Sequence, residues 1–238
     1  MMDRHEIPSI SYESLDLSVE QRALFDRFAQ ILVEKNAQVN LTAITDLKEI
    51  REKHFADSLA VRLWAGLEEA AESGRILDLG TGGGFPGIPV KIAHPQADMT
   101  LLDATKKKLT AVSEMAEALE LHGVCTLWAR AEEAGRDPEQ REAYDLVLSR
   151  AVAYLPSLIE CAVPFLKEDG VFIAYKQGAC EDELNAAGHA LEELKASVEE
   201  VIAYNLAGEE RKLIVIRKNG STPDKYPRRA GVPVKNPL

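Results

Sequence analysis

The glycines between Gly80 and Gly87 are the residues whose spacing carries the clearest chemistry. They follow a short apolar segment and precede a helical one. Glycines at a strand-to-helix junction allow a sharp turn and let a ligand approach the main chain closely. The helix that follows offers unpaired N–H groups and the positive end of its dipole. The spacing Gly82-x-Gly84-x-x-Gly87 predicts a cofactor site, although the pattern alone is weakly specific and a tight turn without a ligand is the alternative.

Two acidic residues lie where the polar groups of a cofactor would be expected. Asp78 ends the strand before the glycines, where its charge would repel a pyrophosphate but favour an ammonium group or order the loop. Asp103 ends the second strand, from which a carboxylate can accept hydrogen bonds from both ribose hydroxyls. Asp103 is compatible with a nicotinamide cofactor or with S-adenosylmethionine, whereas Asp78 favours S-adenosylmethionine.

Two later positions lie at the same edge of the predicted sheet. The segment 130–133 follows the third strand, where the N–H of Ala131 or Glu132, or the Glu132 carboxylate, could contact an adenine ring. A solvated helix N-terminus explains this acid equally well. Arg150 follows the fourth strand, and we predict that it pairs with a cofactor carboxylate or a phosphate. An internal ion pair with a nearby acid is the alternative for Arg150.

The elements that must position these residues alternate between strands and helices. Strands are predicted at 75–80, 99–103, 124–129, 144–149 and 171–176, and helices near 86–94, 104–121, 151–167 and 181–196. Such alternation is typical of a doubly wound parallel α/β sheet. Two last strands, 198–206 and 211–218, have no room for a helix between them and predict an antiparallel hairpin. The sequence therefore predicts a Rossmann-like, mostly parallel sheet of seven strands.

Two helices are predicted before the sheet. Residues 18–37 carry apolar side chains at helical spacing behind Ser18, with Gln21 as its capping-box partner. Residues 46–64 form the second helix. We therefore divide the chain into an N-terminal helical extension (1–72), a sheet domain (73–220) and a C-terminal tail (221–238).

The composition restricts the partners that the protein can have. A chain of 238 residues with a formal net charge of -11 does not bind nucleic acid with its whole surface. Its three widely spaced cysteines indicate reduced thiols rather than disulfides or a zinc site. We find no apolar run long enough to cross a membrane and no secretory signal, so we expect a cytoplasmic protein.

Positive charge is concentrated at the C-terminus. Residues 217–238 hold six cationic side chains and a single acid, Asp224. Prolines favour an extended tail there, and Tyr226 can stack on a base or pack on the sheet. If the substrate is RNA, we predict that Arg228 and Arg229 contact its phosphates. The alternative is a tail that packs across the acidic domain as an internal counterion.

Six segments together resemble one enzyme family. They are NLTAI (40–44), HFADSL (54–59), DLGTGGGFPGIP (78–89), RAEE (130–133), SRAVA (149–153) and KYPRRAGVPVKNPL (225–238). The glycine loop resembles that of class I S-adenosylmethionine-dependent methyltransferases in general. The combination with the other segments is similar to the GidB/RsmG family and runs from near Glu20 to the C-terminus.

The resemblance implies a bacterial enzyme that uses S-adenosylmethionine to methylate N7 of a guanine in 16S ribosomal RNA. The residues it implies for the cofactor are Gly80, Phe85, Asp103, Ala104, Thr105, Ala131, Glu132 and Arg150, to which the loop spacing adds Asp78 and Gly82. For the RNA we predict contacts from Asn40 and Lys176 as well as from the tail. His54 and Asp57 share a helix face, where a surface hydrogen bond is a simpler explanation than a place at the pocket.

Methylation at N7 fits the absence of a candidate base. Guanine N7 carries a lone pair and no proton, so the reaction needs only in-line positioning against the methyl group. The residues after the fourth strand, Ser149-Arg150-Ala151, lack the Pro-Pro motif of amino-methylating enzymes. We therefore assign no catalytic acid or base and no metal. Because an Arg paired with O6 and N7 would block N7, the guanine must be recognised on its Watson–Crick edge after extrusion from the stack.

The predicted partner is 16S rRNA in the small ribosomal subunit or in an assembly intermediate, bound by a monomer without a membrane. A small-molecule methyltransferase remains an alternative that leaves the basic tail unexplained. A non-catalytic assembly module and a nicotinamide dehydrogenase are the other two alternatives. Turnover without RNA would favour the small-molecule enzyme. Cofactor binding without methyl transfer would favour the assembly module, and a preference for NAD would favour the dehydrogenase.

Overall fold

The computed structural model describes residues 7–151 and 153–238. Residues 1–6 and Val152, which belongs to the SRAVA segment, lie outside the described residues. The strands are β1 (Ser9–Ile10), β2 (Arg75–Leu79), β3 (Asp98–Asp103), β4 (Val124–Trp128), β5 (Tyr144–Ser149), β6 (Leu166–Gln177), β7 (Ala196–Leu206) and β8 (Glu209–Lys218). The α-helices are α1 (Val19–Val39), α2 (Leu47–Ile50), α3 (Leu67–Ser73), α4 (Gly87–Ala93), α5 (Lys106–Ala118), α6 (Ala131–Ala134), α7 (Leu155–Ala162), α8 (Glu181–Ala186), α9 (Gly188–Glu193) and α10 (Val232–Lys235).

The strands form one sheet in the order β1-β7-β8-β6-β5-β2-β3-β4. Strands β2 to β6 pair in parallel, and β8 is antiparallel to both β6 and β7. The seven predicted strands and the terminal hairpin are therefore confirmed. Strand β1 was not predicted, because two residues paired with Asn205 and Leu206 at the sheet edge are too few to show a period.

The direction of the strands decides where a site can form. Strands β2 to β7 end at one edge of the sheet, which we call the carboxyl edge, and β8 begins there. Ligands of doubly wound sheets bind at this edge, where loops rather than strands supply the polar groups. All the predicted cofactor residues except Asp78 lie in or next to these loops.

The N-terminal helices pack on one face of the sheet. Helix α1 begins with the predicted capping box, in which Gln21 N–H donates to the Ser18 hydroxyl and Ser18 N–H donates to the Gln21 side chain. It buries Phe25 and Phe28 against Phe55. The predicted helix 46–64 is helical but changes geometry, from α2 through a π-helical turn at Arg51–Ala56 to a 3₁₀ turn at Leu59–Leu63.

Two predicted helices are shorter than the sequence indicated. Helix α7 begins at Leu155 rather than 151, and β6 begins at Leu166, where the prediction still had a helix. The predicted helix 181–196 is divided into α8 and α9, with a break before Gly188, the residue type that most weakens a helix after proline. Within the described ranges, no helix is long and apolar enough to cross a membrane.

Two apolar layers hold the sheet between them. Along β5, Leu146 and Leu148 point into the layer that contains α1, while Val147 points into the layer that contains α7. This alternation is the period of two expected of a strand buried on both faces. Tyr226, near the C-terminus, belongs to the second layer and is almost fully buried.

Candidate functional site

The glycine loop between β2 and α4 has a backbone conformation that glycine adopts readily and other residues do not. Gly80, Gly82 and Gly84 have φ values of 77°, 57° and 94°. The N–H groups of Gly80 and Thr81 each donate to the Leu102 carbonyl oxygen at 2.9 Å, which fixes the loop against β3. A Cβ built on Gly82 meets no neighbour closer than 3.9 Å, so the main chain there is open to a ligand.

Asp78 orders this loop from inside the protein. It is fully buried, and its Oδ2 accepts hydrogen bonds from the Thr81 hydroxyl at 2.6 Å and from Gly87 N–H at 2.8 Å. Burial raises the pKa of Asp78 to about 7, although these two hydrogen bonds act in the opposite direction. Oδ1 has no hydrogen-bond partner among the described residues. A positively charged ligand in the loop would stabilise this carboxylate, whereas a pyrophosphate would not.

Asp103 joins the glycine loop to the loop after β3. Its Oδ2 accepts from Gly82 N–H at 3.0 Å, and its Oδ1 accepts from Thr105 N–H at 2.7 Å. Each oxygen of a carboxylate can accept a further hydrogen bond, so both remain available to ribose hydroxyls. Ala104 lies between Asp103 and Thr105 in the chain, and its carbonyl oxygen accepts from the Trp128 indole N–H at 3.1 Å. The open loop, the unpaired Asp78 oxygen and this carboxylate fit S-adenosylmethionine.

Arg150 pairs with an acid of the protein. Its Nη1 lies 2.9 Å from Asp57 Oδ2, and its Nη2 lies 3.1 Å from His54 Nδ1. The guanidinium also lies over the ring of Phe85 in the glycine loop, 5.1 Å from its centroid. Arg150 therefore forms the internal ion pair that was the alternative to a ligand contact. Its position still borders the glycine loop.

His54 links the N-terminal extension to the glycine loop. Its ring stacks on Phe85 with 4.6 Å between centroids, and its Nε2 lies 2.6 Å from the Thr42 hydroxyl. Because Arg150 can only donate, Nδ1 accepts and Nε2 carries the proton. Burial and then the positive charge of Arg150 lower the pKa of His54 to about 3. The simpler explanation of a surface hydrogen bond is therefore wrong for both residues, because His54 is half-buried against Phe85 and Asp57 is buried.

A cavity of about 420 Å³ opens beside Arg150 at the carboxyl edge. Its walls come from the ends of β5, β6 and β7, the start of β8 and helix α8. Its lining residues are Asp57, Arg150, Ala151, Ala153, Tyr154, Tyr175, Lys176, Gln177, Glu183, Tyr204 and Arg211. The cavity touches the cofactor loop, because a Cβ built on Gly80 would lie 3.6 Å from the Ala151 Cβ.

Asp57 holds the inner wall of this cavity together. Its Oδ1 accepts from the Tyr204 hydroxyl at 2.8 Å and lies 3.2 Å from Arg211 Nη1, while Oδ2 faces Arg150. One carboxylate therefore faces two mostly buried guanidinium groups, of which Arg211 also pairs with Glu209. Tyr204 and Arg211 could not be predicted from the sequence, because both lie on the hairpin strands, far from any motif.

Lys176 lies on the outer wall of the cavity, where it forms a second cluster of polar side chains with Glu183. Its Nζ donates to the Ala153 carbonyl oxygen and to Glu183 Oε2, each at 2.6 Å. The same Glu183 oxygen accepts from Leu155 N–H at 2.7 Å. Glu183 Oε1 takes no part in these contacts, so this cavity offers an acceptor next to a cation.

Asn40 ends helix α1 beside the glycine loop. It is exposed and has a φ of 46°, and its N–H donates to the Asn36 carbonyl oxygen, so it serves as the helix cap. The next residue, Leu41, has its carbonyl oxygen 3.1 Å from a Cβ built on Gly83. Asn40 therefore has a capping role in the structure. Its exposed side chain lies next to the glycine loop.

The family of the chain follows from comparison with known proteins. A family model described as rRNA small subunit methyltransferase G (GidB) matches residues 21–214. The chain belongs to the GidB family. Ribosomal RNA small subunit methyltransferase G of Desulfitobacterium hafniense is 44% identical over 227 residues, covering 94% of this chain and 92% of that protein. The protein of that name from Streptococcus suis is 42% identical, covering 97% of this chain and 99% of that protein.

Solved structures share the fold of this GidB-family chain. Magnesium protoporphyrin IX methyltransferase (ChlM) from Synechocystis, solved with bound SAM, aligns with a TM-score of 0.57 at 13% identity, covering 87% of this chain and 100% of that one. M. jannaschii TYW2 in complex with AdoMet aligns with a TM-score of 0.51 at 15% identity, covering 63% of this chain and 73% of that one. The fold is that of class I S-adenosylmethionine-dependent methyltransferases.

The tail of this GidB-family chain packs on the protein. Arg228 forms a forked ion pair with Glu160, whose side chain is fully buried. Residues Val232–Lys235 form the short helix α10, so the tail is not extended throughout as its prolines predicted. Arg229 is exposed, and its carbonyl oxygen accepts from Val232 N–H. Within 7–151 and 153–238 its guanidinium has no hydrogen-bond or ion-pair partner. Arg228 thus matches the counterion alternative, and Arg229 does not.

Glu132 has a partner that neither sequence interpretation named. Its Oε1 accepts from Gly231 N–H at 2.7 Å, and the residue is buried rather than solvated. Ala131 begins helix α6 next to it, in the loop that follows β4 at the carboxyl edge. The two residues are 99 positions apart in sequence, so no local pattern could have revealed this contact.

Proposed function

We propose that this GidB-family protein uses S-adenosylmethionine to methylate N7 of a guanine in 16S rRNA. The observation that carries the proposal is the contact between a cofactor loop and a separate cavity, where Ala151 meets Gly80. An enzyme that transfers a group between two ligands needs two adjoining sites of this kind. The family match over residues 21–214 and the printed names of the relatives support rRNA as the substrate.

The chain's own residues can hold the cofactor without a catalytic base. When bound, S-adenosylmethionine supplies an electrophilic methyl group on a sulfonium. Gly82 offers an open main chain beside Gly80, Asp103 offers acceptors for the ribose hydroxyls, and Ala131 offers an N–H for adenine. Asp78 keeps the loop in shape. Since N7 is already a nucleophile, these residues need only orient the reacting groups.

The cavity beside Arg150 is the proposed site for the extruded guanine. The Watson–Crick edge of guanine presents N1–H and N2–H donors and the O6 acceptor. Lys176 and Glu183 both line this cavity, and only Oε2 of Glu183 pairs with Lys176. In the proposed arrangement Glu183 Oε1 accepts from the donors and the Lys176 ammonium contacts O6. Tyr154, which is partly exposed, offers a ring for stacking. Arg150 does not contact N7 in this arrangement, because Asp57 and His54 occupy its guanidinium.

The RNA backbone is proposed to pass over Arg229 and Asn40, at the two sides of the site. Replacing Arg229 with Ala should lower the slope of log affinity against log salt by about 1. The matched change at Arg228 removes the partner of buried Glu160, so it should lower stability as well. A salt slope unaffected by Arg229→Ala would remove the tail from the proposed RNA surface.

We further propose that the protein acts as a monomer in the cytoplasm, on the small ribosomal subunit or on an assembly intermediate. The test is transfer of labelled methyl from S-adenosylmethionine to small subunits from cells that lack this protein, followed by nucleoside analysis. The expected product is one 7-methylguanosine in 16S rRNA. Cofactor binding without labelled RNA would contradict the proposal and favour a small-molecule enzyme or a binding module.

A further inference from the structure

We propose that residues 222–238, which we call the C-terminal strap, position the adenine-side loop (129–135) and thereby set the affinity for the cofactor. This inference rests on the proposed cofactor site, because the loop matters only if it borders the cofactor. It gives the tail a role that is independent of RNA. The strap reaches the loop through contacts at both ends of helix α6 and through its attachment to helix α7.

The first contact is between the strap and the start of helix α6. Glu132 Oε1 accepts from Gly231 N–H at 2.7 Å, and Glu132 is buried beneath the strap. Gly231 has a φ of 79°, the left-handed conformation that presents its N–H at this turn. Glu132 lies directly after Ala131, so a shift of the strap would move the residue proposed to contact adenine.

The second contact is at the end of helix α6. A Cβ built on Gly135 would lie 3.2 Å from Pro227 Cγ, so the strap crosses the helix at close range there. Helix α6 contains only Ala131–Ala134, a single turn that has little stability of its own. Its position must therefore come from what packs on it, and the strap packs on both ends.

The strap itself is anchored firmly on helix α7. Glu160, with no exposed surface, accepts from the Arg228 main-chain N–H at 2.8 Å and from Arg228 Nε at 2.9 Å. The Ser157 hydroxyl donates to the Pro233 carbonyl oxygen at 2.7 Å. A buried carboxylate without its cation is costly, so the seated strap is the favoured state of this surface.

The other end of the strap is held by a cation and a buried ring. Arg141 donates to the carbonyl oxygens of Thr222 and Tyr226, each at 2.8 Å. The Tyr226 hydroxyl donates to Glu193 Oε2 at 2.8 Å. With both ends anchored, the segment between Tyr226 and Pro233 has little freedom, and the loop that contacts it is held in one position.

The test uses one strained variant and a control with the same strain elsewhere. Gly231→Ala adds a Cβ that meets nothing within 4 Å but disfavours the φ of 79°. Gly208→Ala, in the turn between β7 and β8, also meets nothing within 4 Å at a φ of 84°. Both variants therefore introduce backbone strain without a clash. Only Gly231→Ala disturbs the strap. A milder variant, Ser157→Ala, removes one strap anchor without backbone strain.

Three readouts separate positioning from mere stability. Calorimetric titration with S-adenosylmethionine should show affinity weakened by about 3- to 30-fold in Gly231→Ala, the range found for positions that act through others. Hydrogen exchange in 129–135 of the cofactor-free protein should become faster. The KM for the cofactor should rise while kcat at saturating cofactor remains unchanged. Ser157→Ala should change all three readouts in the same direction by less, and Gly208→Ala should change none.

Two results would overturn the proposal. One is cofactor affinity and loop exchange in Gly231→Ala equal to those of Gly208→Ala. The other is a lower melting temperature and kcat with unchanged cofactor affinity, which would make the strap structural only. In either case unaltered protein that binds S-adenosylmethionine and methylates 16S rRNA would leave the proposed function intact. Unaltered protein that fails to bind the cofactor would overturn both.

Discussion

The two halves of the carboxyl edge are held in shape by different kinds of contact. In the cofactor half, which is the glycine loop and the loop after β3, the acidic side chains have partners on their own loop or on the neighbouring one. Asp78 binds Thr81 and Gly87, and Asp103 binds Thr105 and Gly82. A short sequence motif is therefore enough to reveal most of this half.

The target-base half, which is the cavity beside Arg150, depends on contacts between distant segments. Asp57 comes from the N-terminal helices, Arg150 from the end of β5, and Tyr204 and Arg211 from the terminal hairpin. These groups satisfy one another across the sheet edge. Substitutions of the charged groups that join these segments should therefore damage the fold, whereas substitutions in the cofactor half should damage ligand binding first.

The largest expected effect is at Asp57. Replacing Asp57 with Ala leaves Arg150 and Arg211 without their shared counter-charge, and both side chains are mostly buried. We expect the free energy of unfolding to fall by about 3 to 5 kcal/mol in urea titrations. The control is Asp26→Ala, which breaks an exposed pair with Arg51 and should cost less than about 1 kcal/mol. Equal losses in the two variants would contradict the shared role of Asp57.

The next effect is a pH dependence that comes from His54. Its folded pKa, about 3, lies below its ordinary value of 6.5, so the stability it contributes is present above that value and is lost as the pH falls. Relative to His54→Gln, the unaltered protein should lose about 2 to 3 kcal/mol of unfolding free energy between pH 6 and pH 4. Chemical unfolding at several pH values measures this difference.

The unaltered protein must be compared with His54→Gln because Asp78 changes the unfolding free energy with pH in the opposite direction. Its folded pKa of about 7 is raised, so its contribution is lost as the pH rises through that value. Exposed His189 provides the matched control, and His189→Gln should leave the profile unchanged. A profile for His54→Gln parallel to that of the unaltered protein would show that His54 is protonated in the folded state.

Glu183 separates substrate recognition from cofactor binding. Glu183→Gln keeps the size of the side chain but removes the negative charge proposed to accept from guanine N1–H and N2–H. We expect kcat/KM for the RNA to fall by about 10- to 100-fold, as for a lost hydrogen bond to a charged group, with unchanged cofactor affinity. Glu181→Gln, in an exposed pair with Lys212, is the control. A loss confined to cofactor affinity would place Glu183 in the other half.

The smallest expected effect is at Gly82. An added Cβ meets no close neighbour there but disfavours the φ of 57°. Gly82→Ala should therefore destabilise the loop conformation by about 1 to 2 kcal/mol. We expect cofactor affinity to fall by about 10-fold while RNA affinity is retained. Gly178→Ala, at a φ of 64° with nothing within 4 Å, is the matched control. Unchanged cofactor affinity in Gly82→Ala would show that the ligand does not approach this main chain.

The same difference explains what the sequence could predict. The capping box at Ser18, the strands around Asp78 and Asp103, and the hairpin all depend on spacing within a few residues, and the structure has them. The partner of Arg150 lies 93 positions away, and that of Glu132 lies 99 positions away. A single sequence contains no periodic signal for such pairs, because only the folded sheet brings them together. The π-helical turn that carries His54 likewise could not be predicted, because such turns have no characteristic amino-acid composition.

The most direct test of the account is the position of the target guanine in a complex of the protein with S-adenosylhomocysteine and small ribosomal subunits, determined by cryo-electron microscopy. The account predicts an extruded guanine in the cavity between Arg150, Lys176 and Glu183, with N7 directed at the glycine loop. A guanine that remains stacked in the RNA, or that lies on the Trp128 side of the cofactor, would contradict the division of the carboxyl edge into these two halves.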